Sequence, residues 1–142
     1  MPLLTDEVTA ELREAFAGLV NPVRLAVFSQ ALAEPISEEV RRLVEELAGL
    51  DERLVVESRN FVLDQERVRE LGIERIPAIA VLGESVDHGV RFYGLPTGYE
   101  FGSLVEAIVD VSRGSSQLSD ETRAGLAALD RDVRLRVFST PT

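Results

Sequence analysis

The order of apolar segments along the chain constrains its fold more than any other feature. Helical spacing of apolar residues over 5–18 predicts a first helix, and Asn21-Pro22 predicts its end. Three runs of aliphatic and β-branched residues predict strands, which cover 23–28, 53–58 and 76–82. Apolar positions at helical spacing after the first two runs predict helices between the strands. This alternation predicts an α/β protein with a central sheet flanked by helices.

A fourth strand, which forms a hairpin with the third, and one more helix are predicted to follow. The segment 89–94 is expected to pair antiparallel with the third strand across a short polar loop, which makes the sheet mixed. Thr97 and Glu100 have the spacing of a capping box and stand before a run of apolar residues at helical spacing, so they predict the start of that helix. The segment 114–116, Gly-Ser-Ser, predicts its end and a linker.

A partial internal repeat lies beyond this linker. The sequence Val-Arg-Leu-Ala-Val-Phe-Ser at 23–29 recurs as Val-Arg-Leu-Arg-Val-Phe-Ser at 133–139, with six identities in seven positions. An amphipathic helix precedes each copy, at 119–129 in the second case. The chain is therefore predicted to hold one unit at 1–114, followed at 115–142 by a linker, helix and strand that resemble the start of a second unit.

The composition excludes several kinds of chemistry. The chain contains no cysteine, so disulfides, thiolate metal sites and thiol nucleophiles are all absent from it. Its net charge of −10, with arginine as the only basic residue besides histidine, disfavours binding to nucleic acid and to anionic membranes. No apolar run is long enough to span a membrane and no signal peptide is visible, so a cytoplasmic location is expected. No metal-ligand spacing or phosphate-binding glycine loop is present, and no metal or cofactor is predicted.

A resemblance to a known family rests on three features of the sequence. These are the order of elements, the proline that opens the third strand, and the stretches 89–101 and 108–113. The chain resembles the glutaredoxin-like protein disulfide oxidoreductases, cytoplasmic proteins of thermophiles built from two tandem thioredoxin-fold units. The tail 130–142 is similar to the entry into the second unit of that family, where Thr-Pro-Thr leads into Cys-Pro-Tyr-Cys. The resemblance implies a thioredoxin-like fold with an extra N-terminal helix and an appended C-terminal helix and strand.

In that family the redox dithiol lies at the start of the helix after the first strand, where the helix dipole stabilises a thiolate. The equivalent positions here are Glu34, Pro35, Ile36 and Ser37, and neither cysteine is present. These residues suit the first turn of a helix, so a structural role is expected. The alternative is that Glu34 or Ser37 is a catalytic group, but the only histidine, His88, follows the third strand and offers no evident base.

Pro77 matches the cis-proline of the family, which faces the dithiol and leaves backbone groups free to pair with an extended substrate peptide. The Ile76-Pro77 bond is accordingly predicted to be cis, and both residues are predicted to bind substrate. Four more residues are candidates for a peptide-binding surface but fit equally well as hairpin or helix residues: Arg91, Tyr93, Tyr99 and Glu100.

The leading hypothesis is a redox-inactive N-terminal unit of a larger protein disulfide oxidoreductase whose dithiol lies beyond Thr142. In the intact protein, electrons would pass from a flavoprotein reductase to protein disulfides or a peroxiredoxin, and this unit would serve as scaffold, partner-binding surface and homodimer contact. A second resemblance, to the N-terminal domain of the flavoprotein that reduces peroxiredoxins, leads to the same partners. The alternative is a stand-alone, non-catalytic interaction or dimerisation module. An enzyme that uses Glu34 or Ser37 is the third hypothesis.

Overall fold

The computed structural model describes residues 1–30 and 35–140. The elements in chain order are α1 (Asp6–Phe16), β1 (Val23–Ser29), α2 (Pro35–Ala48), β2 (Leu54–Asn60), α3 (Gln65–Glu70), β3 (Ala78–Leu82), β4 (Val90–Tyr93), α4 (Tyr99–Arg113) and α5 (Asp120–Ala127). The predicted α/β class and the predicted order of elements through α5 are therefore confirmed.

The four strands form one mixed sheet in the order β2-β1-β3-β4. β1 runs parallel to β2, with Ser29 opposite Asn60, and antiparallel to β3, with Phe28 opposite Ala78. β4 pairs antiparallel with β3 and places Tyr93 opposite Ala78. Because β3 lies inside the sheet and is covered on both faces, all five of its residues are buried and apolar, as its continuous apolar run predicts.

The two faces of the sheet carry different helices. One face packs against α1, α2 and α4 and forms the larger core, in which Phe16, Val27, Ile79 and Leu104 are all fully buried. The other face packs against α3 and its flanking loops through smaller side chains and Phe28. Alternate residues of a strand point to opposite faces of a sheet, which is why Val27 and its neighbour Phe28 lie in different cores.

The extra N-terminal helix is part of the larger core. The hydroxyl of Thr5 caps α1 by accepting a hydrogen bond from the Val8 amide at 3.3 Å. At the other end of the helix, the Arg53 guanidinium donates a hydrogen bond to the carbonyl of Phe16 at 3.0 Å and another to the carbonyl of Leu19. The prediction of an extra N-terminal helix is confirmed.

The predicted capping box of α4 is wrong. The N-cap of this helix is Gly98, at φ 58° and ψ −128°, and no side chain caps it. Thr97 accepts a hydrogen bond from the Glu100 amide at 3.2 Å through its backbone carbonyl rather than through its hydroxyl. A positive φ favours glycine, so the turn at Gly98 moves Thr97 out of the capping position. The predicted end of α4 is confirmed by Gly114, which adopts the left-handed conformation.

The strand predicted at 133–138 is not formed, although the helix before it is. Ser119 caps α5 by accepting a hydrogen bond from the Thr122 amide at 3.1 Å. In the described part of the tail, residues 132–140 belong to neither helix nor strand, and Leu135, Val137 and Phe138 are 86%, 91% and 89% exposed. A strand needs a partner, and this second copy lacks the two neighbouring strands that flank β1. The division into units at 1–114 and 115–142 stays a prediction.

Candidate functional site

The four residues predicted to be equivalent to the dithiol of the resembled family lie in the chain where β1 leads into α2. Glu34, the first of the four, falls outside the described residues. Pro35 is the first residue of α2, a position that suits proline because the amide it lacks would have no partner within the helix. Ile36 is 51% exposed, whereas Ser37 is only 3% exposed and points into the protein.

Pro77 lies at the same end of the sheet as this position. The Ile76-Pro77 peptide bond is cis, as predicted from the sequence. Pro77 directly precedes β3, whose first residue pairs with Phe28 near the end of β1. Its carbonyl accepts a hydrogen bond from the Gly94 amide at 2.9 Å, which joins it to the end of β4. The fold thus brings Pro77 to the sheet end from which α2 begins, and a role of Ile76 and Pro77 in substrate binding stays a prediction.

His88 lies at the opposite end of the sheet. β3 runs away from Pro77, and His88 follows it in the connection to β4. Ser37 therefore has no histidine beside it. This arrangement removes the most common general base from the neighbourhood of the one hydroxyl that was a candidate nucleophile.

The four candidates for a peptide-binding surface differ in the contacts that their side chains make. Arg91 pairs with Asp87 at 2.5 Å and donates a hydrogen bond to the carbonyl of Leu71 at 3.1 Å. The ring of Tyr93 lies under the Arg75 guanidinium, 4.3 Å from the ring centre. Both of these side chains already make contacts within the chain. Tyr99 and Glu100, at the start of α4, are exposed, and Tyr99 is 88% accessible.

A polar cavity of about 480 Å³ lies beside the first turn of α2. Its lining comprises Ser29, Gln30, Ser37, Glu38, Arg41, Ser58, Arg59, Asn60 and Asp64. The cavity sits at the carboxyl ends of the parallel strands β1 and β2, which is where open α/β sheets commonly bind ligands. The sequence prediction included Ser37 but missed the contribution of β2 and the loop after it. The polar run Glu-Ser-Arg-Asn at the end of β2 was the available signal.

Two buried polar atoms of this cavity lack a hydrogen-bond partner among the described residues: the hydroxyl of Ser37 and Nε of Arg59. The charged side chains of the lining, in contrast, are paired. Arg41 forms an ion pair with Glu38, and Arg59 lies 2.9 Å from Glu57 and 3.9 Å from Asp64.

Two carboxyl groups beside the cavity, those of Glu38 and Glu57, have a pKa below its ordinary value. Burial alone would raise the pKa of Glu57, but hydrogen bonds from Arg59 and Arg67 outweigh that effect and hold the pKa below its ordinary value. The Arg41 hydrogen bond likewise lowers the pKa of Glu38. Such carboxylates are poor proton carriers near neutral pH, so the arrangement suits the binding of a polar group better than acid-base catalysis.

The described residues contain no group of three or more histidine, cysteine, aspartate or glutamate side chains that could hold a metal ion. Across the same part of the chain, every helix is too short or too polar to cross a membrane.

No family model matches the chain. It is 32% identical over 110 residues to an NADH dehydrogenase of Ferdinandcohnia aciditolerans, a match that covers 78% of this chain and 18% of that protein. It is 33% identical over 76 residues to the F component of alkyl hydroperoxide reductase from Staphylococcus aureus, which covers 54% of this chain and 13% of that protein. The chain therefore spans less than a fifth of the length of these relatives.

Solved structures give longer matches. The NTD_N/C domain of alkyl hydroperoxide reductase AhpF from Enterococcus faecalis superposes with a TM-score of 0.81 at 26% identity, over 90% of this chain and 62% of that one. A protein disulfide oxidoreductase from Aeropyrum pernix superposes with a TM-score of 0.78 at 29% identity, over 88% of this chain and 55% of that one. This chain is a thioredoxin-like domain related to the N-terminal domain of alkyl hydroperoxide reductase AhpF and to the protein disulfide oxidoreductases.

Proposed function

We propose that this chain is a redox-inactive thioredoxin-like unit of a larger disulfide-reducing protein, in which a dithiol outside these 142 residues carries out thiol-disulfide exchange. One observation carries the proposal. The four positions where related proteins are expected to hold the dithiol are Glu34, Pro35, Ile36 and Ser37, on a scaffold that otherwise matches those proteins closely.

The chemistry of exchange supports this assignment. A thiolate must attack one sulfur of the substrate disulfide, and a second thiol must then resolve the mixed disulfide. Neither step is open to a chain without cysteine, and a serine hydroxyl does not replace a thiolate because it stays protonated near neutral pH. Ser37 is buried and has no histidine beside it, so the same geometry also argues against the third hypothesis, an enzyme based on Glu34 or Ser37.

The role that remains is that of a scaffold and a partner-binding surface within the larger protein. Under this proposal the unit orients the active dithiol toward a peroxiredoxin or a flavoprotein reductase and contributes to a homodimer contact. A cytoplasmic location and a thermophilic source belong to the same proposal and rest on the resemblance to the protein disulfide oxidoreductases.

An insulin-reduction assay with dithiothreitol tests the redox part of the proposal. We expect the chain to leave the rate of insulin precipitation at that of dithiothreitol alone. The double variant Glu34→Cys/Ser37→Cys, which restores a Cys-Pro-Ile-Cys sequence at the start of α2, is expected to accelerate it, because this helix start stabilises a thiolate. The single variant Glu34→Cys, which has no resolving thiol, is the matched control. Reduction of insulin by the unmodified chain above the background rate would contradict the proposal.

The alternative, a stand-alone interaction or dimerisation module, is favoured by the exposed apolar side chains of Leu135, Val137 and Phe138. Apolar side chains that project this far into water commonly mark a surface that another chain covers. Sedimentation velocity over a range of concentrations tests the alternative. Self-association through the tail, which Val137→Asp/Phe138→Asp abolishes, would support the module. A monomer at all concentrations, or a dimer that the double variant leaves intact, would contradict it.

A further inference from the structure

The edge of the sheet at β2 is open. Among the described residues β2 pairs with β1 alone, so it forms one end of the sheet. Its seven residues make a longer edge than the four residues of β4 at the other end. Unpaired amides and carbonyls along an edge strand form a template for pairing with a further strand. The β2 edge therefore offers the longer of the two docking surfaces for such a strand.

The hydrogen bonds at the two ends of β2 show which of its backbone groups face the open side. The Leu54 amide donates within the preceding turn at 3.1 Å, and the Asn60 amide donates to the Asp64 carboxylate at 2.7 Å, so neither bonds to β1. The backbone groups of successive residues in a strand point to opposite neighbours. Val56 and Ser58, which lie between these ends at the same spacing, therefore direct their amides and carbonyls to the open side.

The tail of the chain contains a segment whose sequence is compatible with β2. Residues 133–139 differ from β1 at one position only, where Arg136 stands in place of Ala26, and β1 pairs in parallel with β2 along its whole length. In the described structure this segment forms no strand, and Val137 and Phe138 are 91% and 89% exposed. One chain thus holds an unpaired strand sequence and an open strand edge that do not meet within it.

We propose that the tail of one copy, residues 133–139, pairs in parallel with the open edge of β2 in a second copy, in the register that β1 uses on the other side of β2. This inference rests on the alternative function given above, an interaction module, and names the surface to which its tail binds. Reciprocal exchange of two tails gives a closed two-fold dimer, in which each tail and each edge finds a partner.

The apolar side chains agree with this register. It places Val133 and Leu135 beside Leu54 and Val56, whose side chains belong to the larger core. The apolar residues of the tail then extend the apolar face of the sheet and leave water, which stabilises the pairing. The backbone groups of Val56 and Ser58 bond in this arrangement to the alternate residues of the tail.

The charges agree with it as well. The register places Arg136 next to Glu57, at the one position where the tail departs from the sequence of β1. The net charge of −10 comprises +2 from residues 133–142 and −12 from the rest of the chain. A basic tail is therefore attracted to an acidic body, which favours its encounter with another copy.

Engineered cysteines report the pairing directly, because the chain contains no cysteine of its own. The proposed register sets Val137 opposite Ser58, so a chain with Ser58→Cys and a chain with Val137→Cys should form a mixed disulfide on mild oxidation. The matched control uses Phe138→Cys, because a shift of one residue turns the side chain to the other face of the sheet. Mass spectrometry under non-reducing conditions should find at least about fivefold more mixed disulfide with Val137→Cys than with Phe138→Cys. Equal yields would overturn the proposal.

Substitutions on the edge test the same pairing without a cross-link. Ser58→Pro removes an amide that faces the open side, a place where edge strands accept proline, and should weaken the dimer at least about tenfold in sedimentation velocity. Ser58→Ala keeps that amide and should change the dimer dissociation constant less than about twofold. Circular dichroism verifies that both variants are folded, and the cross-link decides the question if Ser58→Pro is not.

The outcomes separate this surface from the module itself. A dimer that Val137→Asp/Phe138→Asp abolishes, but that shows no preference for the Val137→Cys cross-link, would overturn docking at β2 and leave the module standing. A monomer at all concentrations would overturn both. In the double variant Ser58→Cys/Val137→Cys, a disulfide that closes within one chain rather than between two would refute the assignment to a second copy.

Discussion

Ser112 joins the extra N-terminal helix to the rest of the domain, and its replacement by alanine should destabilise the protein measurably. The residue is fully buried in α4. Its hydroxyl accepts hydrogen bonds from the Val20 amide at 2.8 Å and the Asn21 amide at 3.1 Å, and donates one to the Asn21 carbonyl at 2.8 Å. These three bonds hold the loop between α1 and β1 against α4.

The size of the effect follows from these bonds. A neutral hydrogen bond contributes about 0.5 to 1.5 kcal/mol net, and a buried group left without a partner costs about 1 to 3 kcal/mol. Val20 is 65% exposed, so water can replace part of the loss at that amide. We therefore expect Ser112→Ala to lower the free energy of unfolding by about 2 kcal/mol. For a chain of this length that corresponds to a fall in Tm of roughly 6 °C.

Urea unfolding followed by circular dichroism measures this change, with Ser103→Ala as the control. Ser103 is exposed on the same helix, and its hydroxyl makes one long hydrogen bond, of 3.3 Å, to the carbonyl of Tyr99. Ser103→Ala should change the free energy of unfolding by less than about 0.5 kcal/mol. Hydrogen exchange should show faster exchange at the amides of Val20 and Asn21 in Ser112→Ala alone. A loss of stability no greater than that of the control would refute the argument that this hydroxyl anchors the loop.

Two further predictions concern other parts of the domain. Hydrogen bonds from Arg53 lower the pKa of Asp51 from 3.8 to about 2, so its contribution to stability should be complete above about pH 4 and lost as the pH falls to about 2. Urea midpoints of Asp51→Asn should fall less over that interval than those of the unmodified chain, and an equal fall would contradict the assignment. Phe28→Ala, at a fully buried position, should cost about 3 to 5 kcal/mol, whereas Val55→Ala, 41% exposed on β2, should cost less than about 1 kcal/mol. Urea unfolding measures both changes. Equal losses of unfolding free energy in the two variants would show that Phe28 does not fill the core beneath α3.

Features set by local sequence could be predicted well. Within residues 1–30 and 35–140, the helices and strands follow from apolar spacing, and the end of α4 follows from Gly114, a residue type that readily adopts the left-handed conformation. The cis bond before Pro77 was expected from the resemblance to the disulfide oxidoreductases together with the residue type. The position equivalent to the dithiol was assigned from the resemblance to the disulfide oxidoreductases and stays a prediction. The inferences about the elements and the end of α4 depend on residues that are close together in the sequence.

Two features could not be predicted, for different reasons. The capping box at Thr97 had the right spacing, but the backbone conformation of the adjacent Gly98 determines where α4 begins, and spacing alone does not reveal a backbone angle. The repeat at 133–139 has the composition of β1 but not its neighbouring strands, and a strand is stable only when its backbone groups find partners. Residue type and local spacing contain no information about such partners.

For the same reason, the sequence motifs could not predict the lining of the polar cavity beside α2. Ser37 and Arg59 line the same cavity because β1, which leads into the helix that carries Ser37, pairs in parallel with β2, which carries Arg59. The sequence by itself thus determined the order of elements and the absence of cysteine from these 142 residues. The tertiary structure decided which polar groups are buried together and which are left without a partner, because burial and pairing depend on contacts between segments far apart in the chain.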